Sequence, residues 1–247
     1  MPVTVSHADF SRVRLLRLLD RLDQTARTPS ARTVALPAAT PLPAISLPRS
    51  DDALISSHAA RSGTGAFIFA DAAAAWIVAP PFPVTAFANE EGIHTAQLRE
   101  LLARERRVAA VLLRLGGYAI GLYDGERLVE ARNATRFVKN RHRKGGQSQR
   151  RFDRIREKQV DELFDHLCRD ASERLSPYAN GLDFIVYGGD RHTVQACLKV
   201  CRFLQEFPCP VLPRFLTVPE PRHETLVTLP ALLTTSRVTS IAVDDAA

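Results

Sequence analysis

The spacing of apolar positions along this 247-residue chain changes several times, and each change predicts an element. Between residues 8 and 24, Phe10, Val13, Leu15, Leu16, Leu19 and Leu22 recur between arginines at helical spacing, which predicts an amphipathic helix. Residues 25–50 lose that period. Pro29, Pro37, Pro41, Pro43 and Pro48 cut them into short apolar pieces, which suits an extended segment lying over a surface, with room for one edge strand. Asp51 to Arg61 reads as a short helix. From Gly65 the runs become strand-like. Ala66–Ala70 and Ala75–Ala79 flank a turn, and Pro80, Pro81 and Pro83 end the ladder. His94–Arg106 returns to helical spacing through Leu98, Leu101 and Leu102.

Three strands follow at Val108–Leu115, Tyr118–Tyr123 and Arg127–Arg132, with Gly116-Gly117 and Asp124-Gly125 as hairpin turns. A long helix starts near Arg150, with Phe152, Ile155, Val160, Leu163, Phe164 and Leu167 approximating one face. Asp183–Tyr187 reads as a buried strand, Gly188-Gly189 as a turn, His192–Phe203 as an amphipathic helix and Val211–Leu216 as a last core strand. Val227–Val243 is apolar but weakly patterned, and no element is assigned to it. A meander followed by alternating strands and helices predicts an α/β (α+β) fold, a mixed β-sheet with helices packed on it. The expected division is 1–60 as a helix and Pro-rich segment packed on the main domain, 61–216 as that domain, and 217–247 as an extension.

Composition narrows the functional classes. A 45% hydrophobic content supports a core, and no run of eighteen apolar residues predicts a membrane span. His7, Asp9, Arg12 and Arg14 stand where a signal peptide needs an apolar stretch, so the cytoplasm is expected. The four cysteines are Cys168, Cys197, Cys201 and Cys209. A cytosolic chain of this size does not need disulfides. Cys197 and Cys201 could share a helix face with His223 completing a zinc site, but neither cysteine pair has the tight spacing of a zinc ribbon, so small buried residues and no metal are expected. Arginine outnumbers lysine 29 to 4 along the whole chain, a bias that base composition of the genome explains. Only its clustering points to a partner.

That clustering is sharp. Lys139 to Arg156 carries eight basic residues against the single Asp153, while the whole chain carries a net charge of +6. At its centre stands Gly145-Gly146-Gln147. Two adjacent glycines let another molecule approach the main chain closely. Gln147 adds a neutral amide that donates and accepts hydrogen bonds and does not titrate, so it cannot be a general base. Around the tripeptide, Lys139, Arg141, His142, Arg143, Lys144, Arg150, Arg151 and Arg154 are candidates for phosphate contacts. The alternative is a solvated charge run on a flexible loop.

Arg143-Lys144-Gly145-Gly146-Gln147-Ser148, followed by Arg151-Phe152, resembles the GGQ region of the middle, catalytic domain of eukaryotic and archaeal peptide-chain release factors. The Gly117–Leu122 strand, the Asp124-Gly125 turn and the helix after the loop stand in that family's order, over about residues 60–190. The resemblance is closer to Vms-like release factors of the actinobacterial peptidyl-tRNA hydrolase type. Only some sixty residues lie upstream, with no Asn-Ile-Lys-Ser, and nothing downstream suits a GTPase-recruiting domain. Bacterial release factors place Gly-Ala before their GGQ and His-Val-Asn after it, which this chain lacks.

The resemblance implies a ribonuclease H-like fold, a GGQ loop at 139–150, no cofactor, and hydrolysis of the peptide–tRNA ester. Catalysis falls to Gln147, Gly146 and Gly145. Expected partners are peptidyl-tRNA, rRNA and the peptidyl transferase centre of the large ribosomal subunit, met by a monomer with no decoding role, in ribosome rescue. A nuclease acting on the tRNA acceptor end and a non-catalytic ribosome-binding module are the alternatives.

Overall fold

The computed structural model describes residues 3–25, 30–43, 52–136 and 147–243. Its first elements are β1 (Val3–Phe10), α1 (Arg12–Thr25), β2 (Arg32–Leu36), α2 (Asp52–Ala60), β3 (Ala66–Ala70), β4 (Ala74–Ala79), β5 (Ala88–Glu91) and α3 (Ala96–Ala103). There follow β6 (Arg107–Arg114), β7 (Gly117–Asp124), β8 (Arg127–Thr135), α4 (Gln147–Leu175) and a 3-10 turn at Ser176–Gly181. The chain closes with β9 (Phe184–Gly189), α5 (Arg191–Val200), α6 (Arg202–Gln205), β10 (Val211–Leu216), α7 (His223–Leu233) and β11 (Ser236–Val243). Two compact units result: Met1–Glu105 with Ala231–Ala247, and Arg106–Pro230. Sequence reasoning drew its borders at residues 60 and 216 instead.

The first unit is built on a six-stranded sheet in the order β1-β11-β4-β3-β2-β5. Leu15, Leu18, Leu19 and Leu22 of α1 pack with Leu98 and Leu102 of α3 over Phe67, Phe69 and Val78. Polar groups fasten the same pair of helices. Thr95 donates its hydroxyl to Asp23 at 2.8 Å, and Arg99 reaches Asp20 at 2.7 Å and Asp23 at 2.9 Å. This packing assigns the 94–106 helical pattern to the first unit, not to the meander that follows it in sequence. The β3–β4 turn is closed by Asp71, whose carboxylate accepts from the backbone N–H groups of Ala73 and Ala74 at 2.8 and 2.7 Å.

Two expectations need correcting here. The Pro-rich segment supplies β2, which is not at an edge: it lies between β3 and β5, with Val34, Ala35 and Leu36 buried. The weakly patterned stretch 227–243 contains part of α7 and all of β11. Its period is blurred because β11 lies inside the sheet, between β1 and β4, and buries Ser236 and Thr239 as well as Val238 and Ile241. The strand β1 itself lay outside the sequence-based assignment.

The second unit holds a five-stranded mixed sheet in the order β10-β9-β6-β7-β8. β6, β7 and β8 form the antiparallel meander expected, turning at Gly116 and Gly125 with φ of 107° and 60°. β9 runs parallel to β6, and β10 parallel to β9. Val108 to Leu113 is buried throughout, as a strand covered on both faces must be. On one face Ala109, Val111, Leu113, Tyr118, Ile120, Ile185 and Tyr187 meet α4, α5 and α6. Elsewhere Tyr123 donates its hydroxyl to the Leu226 carbonyl of α7 at 2.8 Å.

Gly188 and Gly189 belong to the end of β9, not to a turn. A Cβ on Gly188 would come 2.7 Å from the Leu216 carbonyl oxygen, and one on Gly189 2.2 Å from that of Leu113. Their need is close strand packing, which the pair Gly-Gly alone cannot distinguish from a turn. Asp190 then caps α5, accepting from the Thr193 N–H at 2.8 Å and from its hydroxyl, and the hydroxyl and backbone bonds hold its carboxyl below the usual range. The cysteines also differ from expectation. Cys168 of α4 is disulfide-bonded to Cys201 at the α5–α6 junction, while Cys197 and Cys209 are buried free thiols.

Candidate functional site

The basic segment follows one element of the second unit in sequence and runs into another. β8 leads into it and α4 leads out. Lys139, Arg141, His142, Arg143, Lys144, Gly145 and Gly146 lie outside the described residues. Gln147 is the first residue of α4 and Arg150 stands in its first turn; Arg151 and Arg154 follow, both exposed. The first four N–H groups of a helix have no partner within it, and they give that end a partial positive charge. No acidic residue lies in this first turn to neutralise it. The helix therefore adds its own donors and dipole to the charge of the arginines.

α4 is 29 residues long, about 43 Å at 1.5 Å per residue. Its later part enters the core through Leu163, Phe164, Leu167, Ala171 and Leu175, with Val160 partly buried. Among the described residues, none between Arg151 and Gln159 contributes a side chain to that core.

Side chains of β8 and α4 fix the register of the two elements. Arg174 reaches Glu130 at 2.7 Å, Arg132 Nε donates to Asp170 at 2.6 Å, and Arg136 lies 2.6 Å from His166 Nε2. Two residues of strand advance about 6.6 Å and four of helix about 6 Å, so Glu130 and Arg132 stay in step with Arg174 and Asp170. Tyr118 of β7 donates a second bond to Asp170, also at 2.6 Å.

Burial acts to raise the Asp170 carboxyl, but the Tyr118 and Arg132 bonds, with the charges of Arg132 and Arg174, outweigh it and hold the carboxyl below its ordinary value. Tyr118 is correspondingly pushed far above a free phenol, by burial first and by Asp170 second. Just beyond β8, the Arg136 N–H donates to the Gly116 carbonyl at 2.8 Å.

None of Tyr118, Arg132, Arg136, His166 or Asp170 was singled out from sequence. A signal existed: His166, Asp170 and Arg174 recur every four residues on one stripe of α4. It became legible only once β8 was known to lie against that stripe.

Burial pushes the Cys197 thiol up to about 12 and the Cys209 thiol up to about 11, too high for a thiolate nucleophile near neutral pH. Cys201 is bonded to Cys168, which removes it from a grouping with Cys197 and His223. Among the described residues, no cluster of three or more His, Cys, Asp or Glu side chains could hold a metal ion.

Comparison with known proteins identifies the family. The model of a family described as "Actinobacteria/chloroflexi VLRF1 release factor" matches residues 106–239, more than half of the chain. The chain belongs to that family. The match begins with the second unit and ends inside β11, later at both ends than the stretch 60–190 over which the sequence resemblance was drawn. Residues 106–239 of this VLRF1-family member are thus a release-factor-like domain of the Vms-like type.

Peptide chain release factor subunit 1 of Archaeoglobus fulgidus is 32% identical over 119 residues, which is 47% of this chain and 29% of the relative. The protein of the same name from Aeropyrum pernix is 32% identical over 106 residues, 42% of this chain and 28% of the relative. The chain therefore spans under a third of the length of these curated relatives. Among solved structures, an archaeal translation termination factor, aRF1, aligns over 91% of this chain and 73% of its own, at 18% identity and a TM-score of 0.38. Saccharomyces cerevisiae Dom34, described as a translation termination-like factor, aligns over 94% of this chain and 71% of its own, at 7% identity and a TM-score of 0.31.

Proposed function

We propose that this VLRF1-family protein is a codon-independent peptidyl-tRNA hydrolase, cutting the ester between a nascent peptide and the 3′ end of tRNA on stalled ribosomes or large subunits. The observation that carries the reading is the place of Gln147. It heads a long helix directly after two glycines, and its backbone N–H is one of the donors that the helix leaves without an internal partner.

An ester needs little more than an oriented water and a donor for the oxyanion. The Gln147 amide would position the water, and its N–H would meet the developing negative charge. One such donor is typically worth roughly 3–4 kcal/mol, or about 10²–10³ in rate. Gln147 has no proton to take or give near neutral pH, so proton transfer passes to the substrate, through the terminal ribose hydroxyl. Gly145 and Gly146 keep the approach slim. Lys139, Arg141, His142, Arg143, Lys144, Arg150, Arg151 and Arg154 would hold phosphates of tRNA and rRNA around the peptidyl transferase centre.

The test uses purified ribosomal complexes carrying labelled peptidyl-tRNA. Wild-type protein should release peptide at equal rates with or without a stop codon in the A site and leave tRNA with its CCA end complete. Gln147→Ala should lower release by about 10²–10³ while binding to the complex persists. Undiminished release by that variant would remove the assignment, and a shortened tRNA 3′ end would make the protein a nuclease.

A further inference from the structure

The polar contacts between β8 and α4 change character towards the loop. Glu130 faces Arg174 and Asp170 faces Arg132, so each of these contacts joins a carboxylate to a guanidinium. Four helix residues nearer the basic segment stands His166, which takes no acid's place in an ion pair. Two guanidiniums close on it. Arg136 Nη2 lies 2.6 Å from its Nε2, and Arg169 Nη2 lies 2.8 Å from its Nδ1. A guanidinium only donates, and a neutral imidazole has one nitrogen that accepts and one that bears hydrogen. Whichever nitrogen is protonated, at least one contact sets N–H against N–H.

No neighbouring acid relieves this. Asp170 is engaged by Tyr118 and Arg132. Asp165 stands four residues before Arg169, a spacing that suits a helical ion pair, yet the Arg169 guanidinium is turned to His166 instead. Among the described residues, no carboxylate comes within ion-pair reach of Arg136 or Arg169. Both arginines are exposed and His166 is half-buried. Donors converge at the surface, and what is missing is an acceptor.

We infer that Arg136, His166 and Arg169 bind a backbone phosphate of RNA, in a second contact set back from the basic tip. Phosphate oxygens supply the acceptors this cluster lacks, and a guanidinium fork matches them in pairs. A polyanion fits better than a small free ion because the cluster is open and continues other charge. Arg136 is followed by the basic run that starts at Lys139. Arg169 comes eighteen residues after Arg151, five whole helical turns, so the two share a face of α4 about 27 Å apart. One RNA lying along that face would meet both ends. The inference rests on RNA being the partner of the proposed hydrolase, but not on Gln147 chemistry.

The test is fluorescence anisotropy of a labelled RNA hairpin with a single-stranded CCA end, titrated with full-length protein from 50 to 200 mM salt. Arg136→Gln with Arg169→Gln should lower affinity about tenfold and reduce the slope of log K against log salt by about one. His166→Glu supplies the absent acid from within. It should weaken RNA binding at least as much, while the thermal midpoint stays level or rises, which separates lost binding from lost folding.

Unchanged affinity and slope in both variants would overturn the inference. So would weakened binding to polyglutamate with RNA binding untouched, since the partner would then be a protein. The two proposals can fail separately. A hairpin-binding protein that loses its slope in these variants but releases no peptide keeps the phosphate site and loses the hydrolase. Peptide release with an unmoved slope does the reverse.

Discussion

The two halves of α4 are made of one continuous helix and obey different rules. Beyond Val160 the helix is held by Leu163, Phe164, Leu167, Ala171 and Leu175 in the core, by the Asp170 and Arg174 pairs with β8, and by the Cys168–Cys201 bond. Before Val160 it carries Arg151 and Arg154 exposed, and among the described residues from Arg151 to Gln159 none joins that core. The contrast shows a division of labour. The later half fixes direction and distance, and the earlier half presents charge at a fixed place. A binding element set on a rigid support loses less conformational freedom when its ligand arrives than one on a free loop.

Substitutions in the two halves should therefore fail in opposite assays. The largest effect is expected from Leu167→Ala, which empties a fully buried position at the centre of the supporting half. It should lower the free energy of urea unfolding by about 2–5 kcal/mol. A loss below ~0.5 kcal/mol would mean the later half is not the anchor.

Asp170→Asn comes next, at about 1–3 kcal/mol near neutral pH, because it weakens the bonds from Tyr118 and Arg132. Its pH dependence has a defined sign. The folded carboxyl is held below its unfolded value of about 3.9, so its contribution is full above that pH and is lost as pH falls through the folded value. The gap between wild type and variant should be constant from neutral pH to about pH 5 and shrink below about pH 4. A gap that grew on acidification would contradict the assignment.

The smallest effect on stability belongs to Arg151→Ala with Arg154→Ala, within ~0.5 kcal/mol. The same double variant should reduce the salt slope of RNA binding by about one to two. Stability lost without a change in that slope would reverse the roles of the two halves.

How much of this could be read from sequence follows the same division. The supporting strands and helix were legible because their apolar periods are strong: the β6–β7–β8 meander with its glycine turns, and α4 from near Arg150. The basic segment was singled out for a different reason, the density of charge around two glycines. What escaped depends on contacts between distant segments. Arg132 and Asp170 lie 38 residues apart and look like ordinary surface charges until β8 and α4 are brought together. The disulfide escaped because 33 residues separate Cys168 from Cys201, and cysteine spacing does not reveal such a pairing. Gly188-Gly189 misled because crowding by Leu113 and Leu216 is invisible from Gly-Gly alone.

The late position of β11 bears on how the chain matures. β1 and β4 pair with β11 and not with each other, so the first sheet stays split until residues beyond Ser236 have been made. The second unit, residues 106–230, ends only six residues before β11 begins at Ser236. The sheet of the first unit is therefore joined across the whole insertion of the second: a strand from residues 236–243 must reach back between β1 and β4 before its row is continuous.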